Sequence, residues 1–301
     1  MIRILLLGKK GQLGWELQRT LAPLGRVVAL DFPEIDLRKP DSLRQVIQQY
    51  HPELIINATA YTDVDRAESE PQTAIAINAQ APGVLAEMSR ALGAALIHYS
   101  TDYVFNGRKG SAYLETDTPD PLNTYGQSKL AGEQAIASTG CAYLILRTSW
   151  VYSFRRDNFV LKVLNWSRTQ QTLRIVDDQI SNPTWARMLA ETSAQLLATL
   201  KENMAGRVRE RTGIYHVAGN GWASRLEWAK AILQYDPRRH EQIVREILPA
   251  RTAEFPTPAK RPLFSALDCN RFSETFQLAL PAWQESLQLA SVEQGKSQEQ
   301  T

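Results

Sequence analysis

Apolar residues gather in short runs through the first half of the chain, and the stretches between those runs repeat their apolar positions every three or four residues. The runs are 2–7 (Ile-Arg-Ile-Leu-Leu-Leu), 26–30 (Arg-Val-Val-Ala-Leu), 54–58 (Leu-Ile-Ile-Asn-Ala), 94–99 (Ala-Ala-Leu-Ile-His-Tyr) and 142–147 (Ala-Tyr-Leu-Ile-Leu-Arg). Each has strand length and nearly continuous apolar character, as a strand buried on both faces reads. Helical patterns occupy 15–21, the stretch through 73–92, and 125–138. Alternation of this kind predicts an α/β fold with a parallel sheet covered on both faces, whose ligands bind beyond the carboxyl ends of the strands. Segments 57–62, 99–102 and 148–152 each follow a strand and should meet at one cleft. Past residue 150 the regular alternation breaks down: 158–168, 184–200 and 224–233 read as helices, 173–176 and 214–217 as strands.

The first strand runs into Gly8-Lys-Lys-Gly11-Gln-Leu-Gly14 and then directly into the first helical pattern. A glycine turn between a strand and a helix lets the backbone approach a pyrophosphate, whose charge the free amides and the helix dipole stabilise. The spacing is Gly-x-x-Gly-x-x-Gly rather than Gly-x-Gly-x-x-Gly, so the match to the dinucleotide fingerprint is imperfect. Asp31 closes the second strand where an acid can bind the adenosine ribose, which favours NADH; Asp36 and Leu37 lie at the adenine end, and Arg38 and Lys39 are close enough to accept a 2′-phosphate, which favours NADPH. Either cofactor fits. These features predict a Rossmann-type doubly wound parallel sheet with a smaller, discontinuous α/β substrate lobe. The dinucleotide-binding domain is expected over 1–150 plus about 184–219, and the substrate lobe over about 151–183 plus 220–285.

Tyr125 and Lys129 stand four apart on one predicted helix face, and Thr101 precedes them at the end of a strand. A phenol of ordinary pKa about 10 is a poor acid at neutral pH. A neighbouring ammonium favours the phenolate, so Lys129 is expected to lower the Tyr125 pKa and suit the pair to proton exchange with an alcohol or ketone.

Composition narrows the classes of partner. A formal net charge of +2 with scattered basic residues gives no field for a nucleic acid. Cys141 and Cys269 make no disulfide framework, and no Cys/His spacing suggests zinc, so no metal site is expected. The apolar run 2–7 is too short for a signal peptide or a membrane span, which points to the cytoplasm. His98, within a strand, reads as a core hydrogen-bonding residue. Trp15, Trp166, Trp185, Trp222, Trp228 and Trp283 read as packing residues, and the polar, Gln-rich stretch 291–301 as a disordered tail.

The glycine pattern, Ser100-Thr-Asp-Tyr-Val-Phe105, Tyr125-x-x-x-Lys129 and Arg147-Thr-Ser-Trp-Val-Tyr152 resemble the extended short-chain dehydrogenase/reductases. Gly8-Lys-Lys-Gly-Gln-Leu-Gly-Trp-Glu16, Asp63-Val-Asp-Arg-Ala-Glu-Ser-Glu-Pro71, His98-Tyr-Ser-Thr-Asp-Tyr-Val-Phe105, Asp178-Gln-Ile-Ser-Asn-Pro-Thr184 and Phe255-Pro-Thr-Pro-Ala-Lys-Arg-Pro262 resemble, more narrowly, the dTDP-4-dehydrorhamnose reductase family. The resemblance implies NADPH- or NADH-dependent reduction of a dTDP-4-dehydro sugar, with Tyr125 as proton donor, Lys129 on the nicotinamide ribose and Thr101 on the keto oxygen. It implies that Gly8, Gly11, Gln12 and Leu13 hold the pyrophosphate, and that Asp31, Asp36, Leu37, Ala60, Tyr61, Thr62 and Tyr99 line the rest of the cofactor site. Asp102, Trp150 and Arg261 would meet the substrate. Sugar-nucleotide dehydratases follow the Thr with Asp-Glu, whereas Tyr103 follows Asp102 here, so elimination lacks its base. An epimerase or another sugar-nucleotide reductase is a neighbouring alternative. Another branch that the chain resembles, the regulatory beta subunit of methionine adenosyltransferase, is a non-catalytic binding module. Some reductases of this type are homodimers bridged by a divalent cation such as magnesium; Glu16 fills one acidic position, but Arg187 stands at the other and would repel the ion.

Overall fold

The computed structural model describes residues 1–299. Six parallel strands form the central sheet: β1 (Ile2–Leu7), β2 (Gly25–Leu30), β3 (Leu54–Asn57), β4 (Ala95–Thr101), β5 (Ala142–Thr148) and β6 (Gly213–His216), in spatial order β2-β1-β3-β4-β5-β6. Because β1 is flanked by β2 on one side and β3 on the other, successive crossovers leave it in opposite directions and open a crevice at the carboxyl ends. Register aligns those ends: Leu7 pairs with Leu30 and Asn57, Asn57 with His98, and Thr101 with Thr148. This is the doubly wound, Rossmann-type sheet expected from the apolar runs.

Alternate residues of each strand face opposite layers. Ile4 and Leu6 pack with Leu13 and Leu17 of α1 (Gln12–Leu21) and Leu189 of α2, defined here as Ala186–Thr199. Leu5 and Leu7 pack on the other face, with Leu43 of the helix Pro40–Tyr50, Leu85 of Ala81–Leu92 and Ile136 of α3, defined as Thr124–Ser138. Because helices cover both faces, the strands read as unbroken apolar runs. The helical stretch 71–92 contains a π-helical turn at Ala76–Gln80, which no propensity marks in advance.

A second apolar cluster gathers Tyr152, Val160, Leu173, Trp185, Trp228 and Leu287. It is built by the helices Phe159–Thr169 and α4 (Arg225–Gln234), and by a parallel pair of strands, Thr172–Val176 with Glu246–Ala250. Meanwhile α2 lies against α1, and β6 extends the central sheet beside β5.

The expected disordered tail is corrected by the last helix, α5, which runs from Trp283 to Glu299. Leu287, Ala290 and Ser291 are buried, and Glu293 pairs with Arg187 of α2. Glutamine, glutamate and lysine are polar but good helix formers, so the composition signalled a solvated face and not an absence of structure. Residues 300–301 of the tail lie outside the described residues.

Candidate active site

The glycine turn joins β1 to α1. Gly8 adopts φ +95°, and its N–H donates to the Leu30 carbonyl at 2.8 Å, which ties the turn to the end of β2. A Cβ on Gly14 would lie 1.9 Å from the Gly8 carbonyl oxygen, so any side chain there would force α1 away from the turn. Gly11 is the N-cap and provides no side-chain acceptor, leaving the leading amides of α1 available to a ligand. The Leu13 side chain is buried in the core. Gln12 donates to the Val151 carbonyl at 3.3 Å and accepts from Ser153 at 2.9 Å and Asn158 at 3.0 Å, linking the turn to the second cluster. For Gln12 and Leu13, therefore, the backbone is the part left for a phosphate.

Beside the turn, the Asp31 carboxylate accepts the Lys10 N–H at 2.9 Å. Asp36 holds the Arg38 guanidinium in a fork of 2.9 and 2.8 Å, and that hydrogen bonding pulls its pKa down to about 2. A cleft of about 440 Å³ is lined by Asp31, Asp36, Leu37, Arg38, Ala60 and Tyr61, among others. Thr62 is exposed and does not contribute to that lining. The Tyr61 N–H donates to Asn78 Oδ1 at 2.8 Å, and the Asn78 amide donates to the Tyr61 carbonyl at 3.1 Å and to Ser128 of α3 at 3.0 Å. Asn78 sits in the π turn and braces the loop against α3. Motif reading missed it because the bulge leaves no sequence signature. A cradle closed to Cβ atoms, an uncapped helix start and a cleft walled by an Asp–Arg fork fit a dinucleotide.

At the other end of the crevice, Asn123 caps α3 by accepting the Gly126 N–H at 2.8 Å, and donates to the Lys260 carbonyl at 2.8 Å. A Cβ on Gly126 would stand 2.2 Å from the Tyr103 carbonyl oxygen, so glycine lets the start of α3 rest on the turn Asp102–Val104 that follows β4. This contact brings Tyr125 to Thr101. The Tyr125 ring meets the Tyr103 ring edge-on at 5.8 Å, and Thr101 takes the Tyr103 N–H at 3.1 Å.

Burial raises the Tyr125 pKa, and a hydrogen bond with Thr101 opposes the rise only in part. The depression of the Tyr125 pKa expected from Lys129 is thus overturned. The Lys129 ammonium points elsewhere, donating to the Tyr99 carbonyl at 2.7 Å and lying 3.2 Å from His98 Nε2. Lys129 is only 1% exposed, and desolvation lowers its pKa to about 8, with Glu133 acting the other way. Glu133 is itself held in a buried fork by Arg147 at 2.9 and 2.6 Å.

Asn57 adds a second reason for a weak ammonium. Its Oδ1 accepts the Thr59 N–H at 3.1 Å and the Thr59 hydroxyl at 2.5 Å, which turns its NH2 toward His98 Nδ1 at 3.0 Å. Nδ1 is then an acceptor, so the neutral ring carries its proton on Nε2, facing Lys129. An N–H aimed at an amine favours the uncharged amine. Burial, then the charge of Lys129, keeps His98 neutral with a pKa well below its usual value. Tyr99 contributes its carbonyl alone; its ring is buried on the opposite face of the sheet, and its hydroxyl donates to Ser193 at 2.7 Å.

The residues expected at the substrate divide. Asp102 is buried and accepts from Thr101 at 3.2 Å, Ser181 at 3.0 Å and Ser265 at 2.5 Å; burial lifts its pKa to about 6. Trp150, at φ +40°, stacks on Trp228 with ring centroids 5.3 Å apart. Arg261 is tied to Asp65 by contacts of 3.1 and 2.6 Å, which occupies its fork within the protein. Glu16 pairs with Arg19 at 2.5 Å, and Arg187 with Glu191 at 2.8 Å and with Glu293, so both find partners in their own chain. Among the described residues, no group of three or more His, Cys, Asp or Glu is gathered to hold a metal, and no helix is long and apolar enough to cross a membrane.

A glycine-turned, doubly wound sheet with a Tyr–Lys helix docked beside a strand-end threonine defines the extended short-chain dehydrogenase/reductase class. Within it, the family described as the RmlD substrate binding domain matches residues 2–294, and the chain belongs to that family. A dTDP-4-dehydrorhamnose reductase of Burkholderia thailandensis is 42% identical over 286 residues, covering 94% of this chain and 95% of the relative. The Escherichia coli K12 protein of that name is 39% identical over 290 residues, with coverage of 94% and 95%. A crystal structure of dTDP-4-dehydrorhamnose reductase from Bacillus anthracis in complex with NADP superposes with a TM-score of 0.86 at 34% identity, covering 97% of this chain and 99% of that one.

Proposed function

We propose that this protein reduces the C4 ketone of dTDP-4-dehydro-β-L-rhamnose to give dTDP-β-L-rhamnose, using NADPH or NADH. The observation that carries the reading is the convergence of Tyr125 with Thr101 at the end of β4, with the buried Lys129 one helical turn further along α3. The cofactor supplies the hydride when bound. Backbone groups of Gly8, Gly11, Gln12 and Leu13 hold its pyrophosphate, and Asp31, Asp36, Arg38, Ala60 and Tyr61 hold its adenosine end. Thr62 borders that end, and Lys129 holds the nicotinamide ribose beside the Tyr99 carbonyl. Thr101 hydrogen-bonds the keto oxygen and Tyr125 gives it a proton. A raised phenol pKa keeps that proton in place at neutral pH, as a reduction requires of its acid. Charge growing on the oxygen is met by donors already in position.

Residues 1–150 plus about 184–219 form the dinucleotide-binding domain in this reading, supported by the packing of α2 on α1 and of β6 on β5. Residues of about 151–183 plus 220–285 form the substrate lobe, supported by the separate apolar cluster around Trp228. Trp150 and Asp102 face the sugar nucleotide from the seam between them. The two unpaired cysteines accord with a cytoplasmic enzyme, and a homodimer without bridging metal accords with the ion pairs that Glu16 makes with Arg19, and Arg187 with Glu191, within one chain.

The test is the decay of NADPH or NADH absorbance with enzymatically generated dTDP-4-dehydro-L-rhamnose, for wild type and Tyr125→Phe. Oxidation by wild type that falls at least about a hundredfold in the variant is expected from loss of a general acid. Folded, cofactor-binding wild type that oxidises neither cofactor would overturn the reading in favour of a regulatory module or another sugar.

A further inference from the structure

Arg225, the first residue of α4, has its guanidinium carbon 3.6 Å from the centroid of the Trp150 ring and 4.7 Å from that of Phe159. Its backbone N–H donates to the Gln179 carbonyl at 3.1 Å, and its charge acts on Tyr103, whose ring abuts Tyr125. Among the described residues it forms no ion pair with a carboxylate. Its charge is felt by Asp102, but that carboxylate is taken up by the hydroxyls of Thr101, Ser181 and Ser265. Arg261, whose charge also acts on Tyr103, is paired with Asp65. The charges of two arginines therefore act on one phenol, and of the two Arg261 has the ion-paired carboxylate.

A largely desolvated cation without an ion-pair partner is costly, and burial lowers the Arg225 pKa to about 10. An arginine whose flat face lies on an indole keeps its N–H edge oriented and free, an arrangement suited to bidentate phosphate recognition. From this geometry we infer that Arg225 binds the diphosphate of the sugar nucleotide beside Trp150, where the family resemblance had offered Arg261 as the arginine that meets the substrate. The inference rests on the nucleotide-sugar reading above and names the residue that selects a charged nucleoside diphosphate over a nucleoside. Arg225 stands outside every recognised motif, as the first helical residue inside an ordinary capping box formed by Ser224 and Glu227, so spacing alone could not single it out.

The experiment is calorimetric titration of the whole protein with dTDP and, separately, with thymidine. Wild type should prefer dTDP. Arg225→Gln should weaken dTDP roughly ten- to a hundredfold, the range for lost hydrogen bonds to a charged group, with thymidine and NADPH affinities unchanged. Arg225→Lys, which keeps the charge and the apolar stem, should fall between the two and guards against a glutamine variant that misfolds. Equal dTDP affinity in wild type and in folded variants would overturn the inference and leave the reductase reading standing. Wild type that binds no dTDP would overturn both.

Discussion

Lys129 is where charge and burial compete most directly. Its folded pKa of about 8 lies below the ordinary lysine value, so the protein favours the uncharged amine relative to the unfolded chain. Stability therefore rises as pH climbs from about 8 toward the unfolded value of about 10.4, whereas a function that needs the cation is present below pH 8 and is lost as pH rises through it. The kcat/KM profile is expected to show an alkaline limb near pH 8, and Lys129→Arg, if it retains activity, to move that limb upward because a guanidinium stays charged. An unchanged limb in the arginine variant would assign the titration to another group. In the same way, Lys129→Met should abolish turnover without lowering the melting temperature, since it removes a buried charge. The sequence made the Tyr125–Lys129 pair legible through its spacing, yet the lowered Tyr125 pKa expected from it is overturned by burial, which raises that pKa. What Lys129 can do for the phenol depends on where the ammonium points. The Tyr99 carbonyl, not Tyr125, claims it, and a strand 30 residues upstream is invisible to an i,i+4 argument.

At the scale of elements, position is set by close backbone approaches. The parallel strands were legible because double burial leaves them continuous in apolar residues, and the glycine turn because its three glycines fall between a strand and a helix. The docking of α3 onto the Asp102–Val104 turn was not legible, because it depends on a contact between Gly126 and the Tyr103 carbonyl that no local pattern encodes. Gly126→Ala would place its methyl 2.2 Å from that oxygen, so the helix or the turn must shift. The expected result is a stability loss of about 1–3 kcal/mol, as for other overpacked sites. Because Tyr125 is the adjacent residue, kcat should fall at least about tenfold while NADPH affinity holds, a displacement acting on geometry more than on binding. Steady-state kinetics with a thermal melt would check both; a variant that loses stability but keeps kcat would mean that the close approach supports folding alone. The π turn that presents Asn78 is a second device of this kind, coupling the Tyr61 loop to Ser128 of α3.

For the whole molecule, the central question is how two apolar clusters behave as one enzyme. Gln12 joins the glycine turn to Ser153 and Asn158, Asp102 joins the end of β4 to Ser181 and Ser265, and Arg261 joins the 255–262 loop to Asp65. All three links run through site residues, so ordering of the site and association of the clusters are the same event. The C-terminal helix adds a fourth link, burying Leu287 in the second cluster while Glu293 pairs with Arg187 of α2. Polarity concealed this helix from a reading of composition, because its apolar contribution comes from a few residues ahead of the Gln-rich end. Leu287→Ala is accordingly expected to lower stability by roughly 2–5 kcal/mol, the range for a leucine removed from a packed core. The loss should fall unevenly. Trp150, Trp166, Trp185, Trp228 and Trp283 lie in or against the second cluster, five of the seven tryptophans, so intrinsic fluorescence reports mainly on that part of the molecule. In the variant, the fluorescence transition should precede loss of the α/β circular-dichroism signal, whereas the wild type should show the two together. Coincident transitions in the variant would mean that the links through Gln12, Asp102 and Arg261 hold the clusters in one cooperative unit even after the core of the second has been opened.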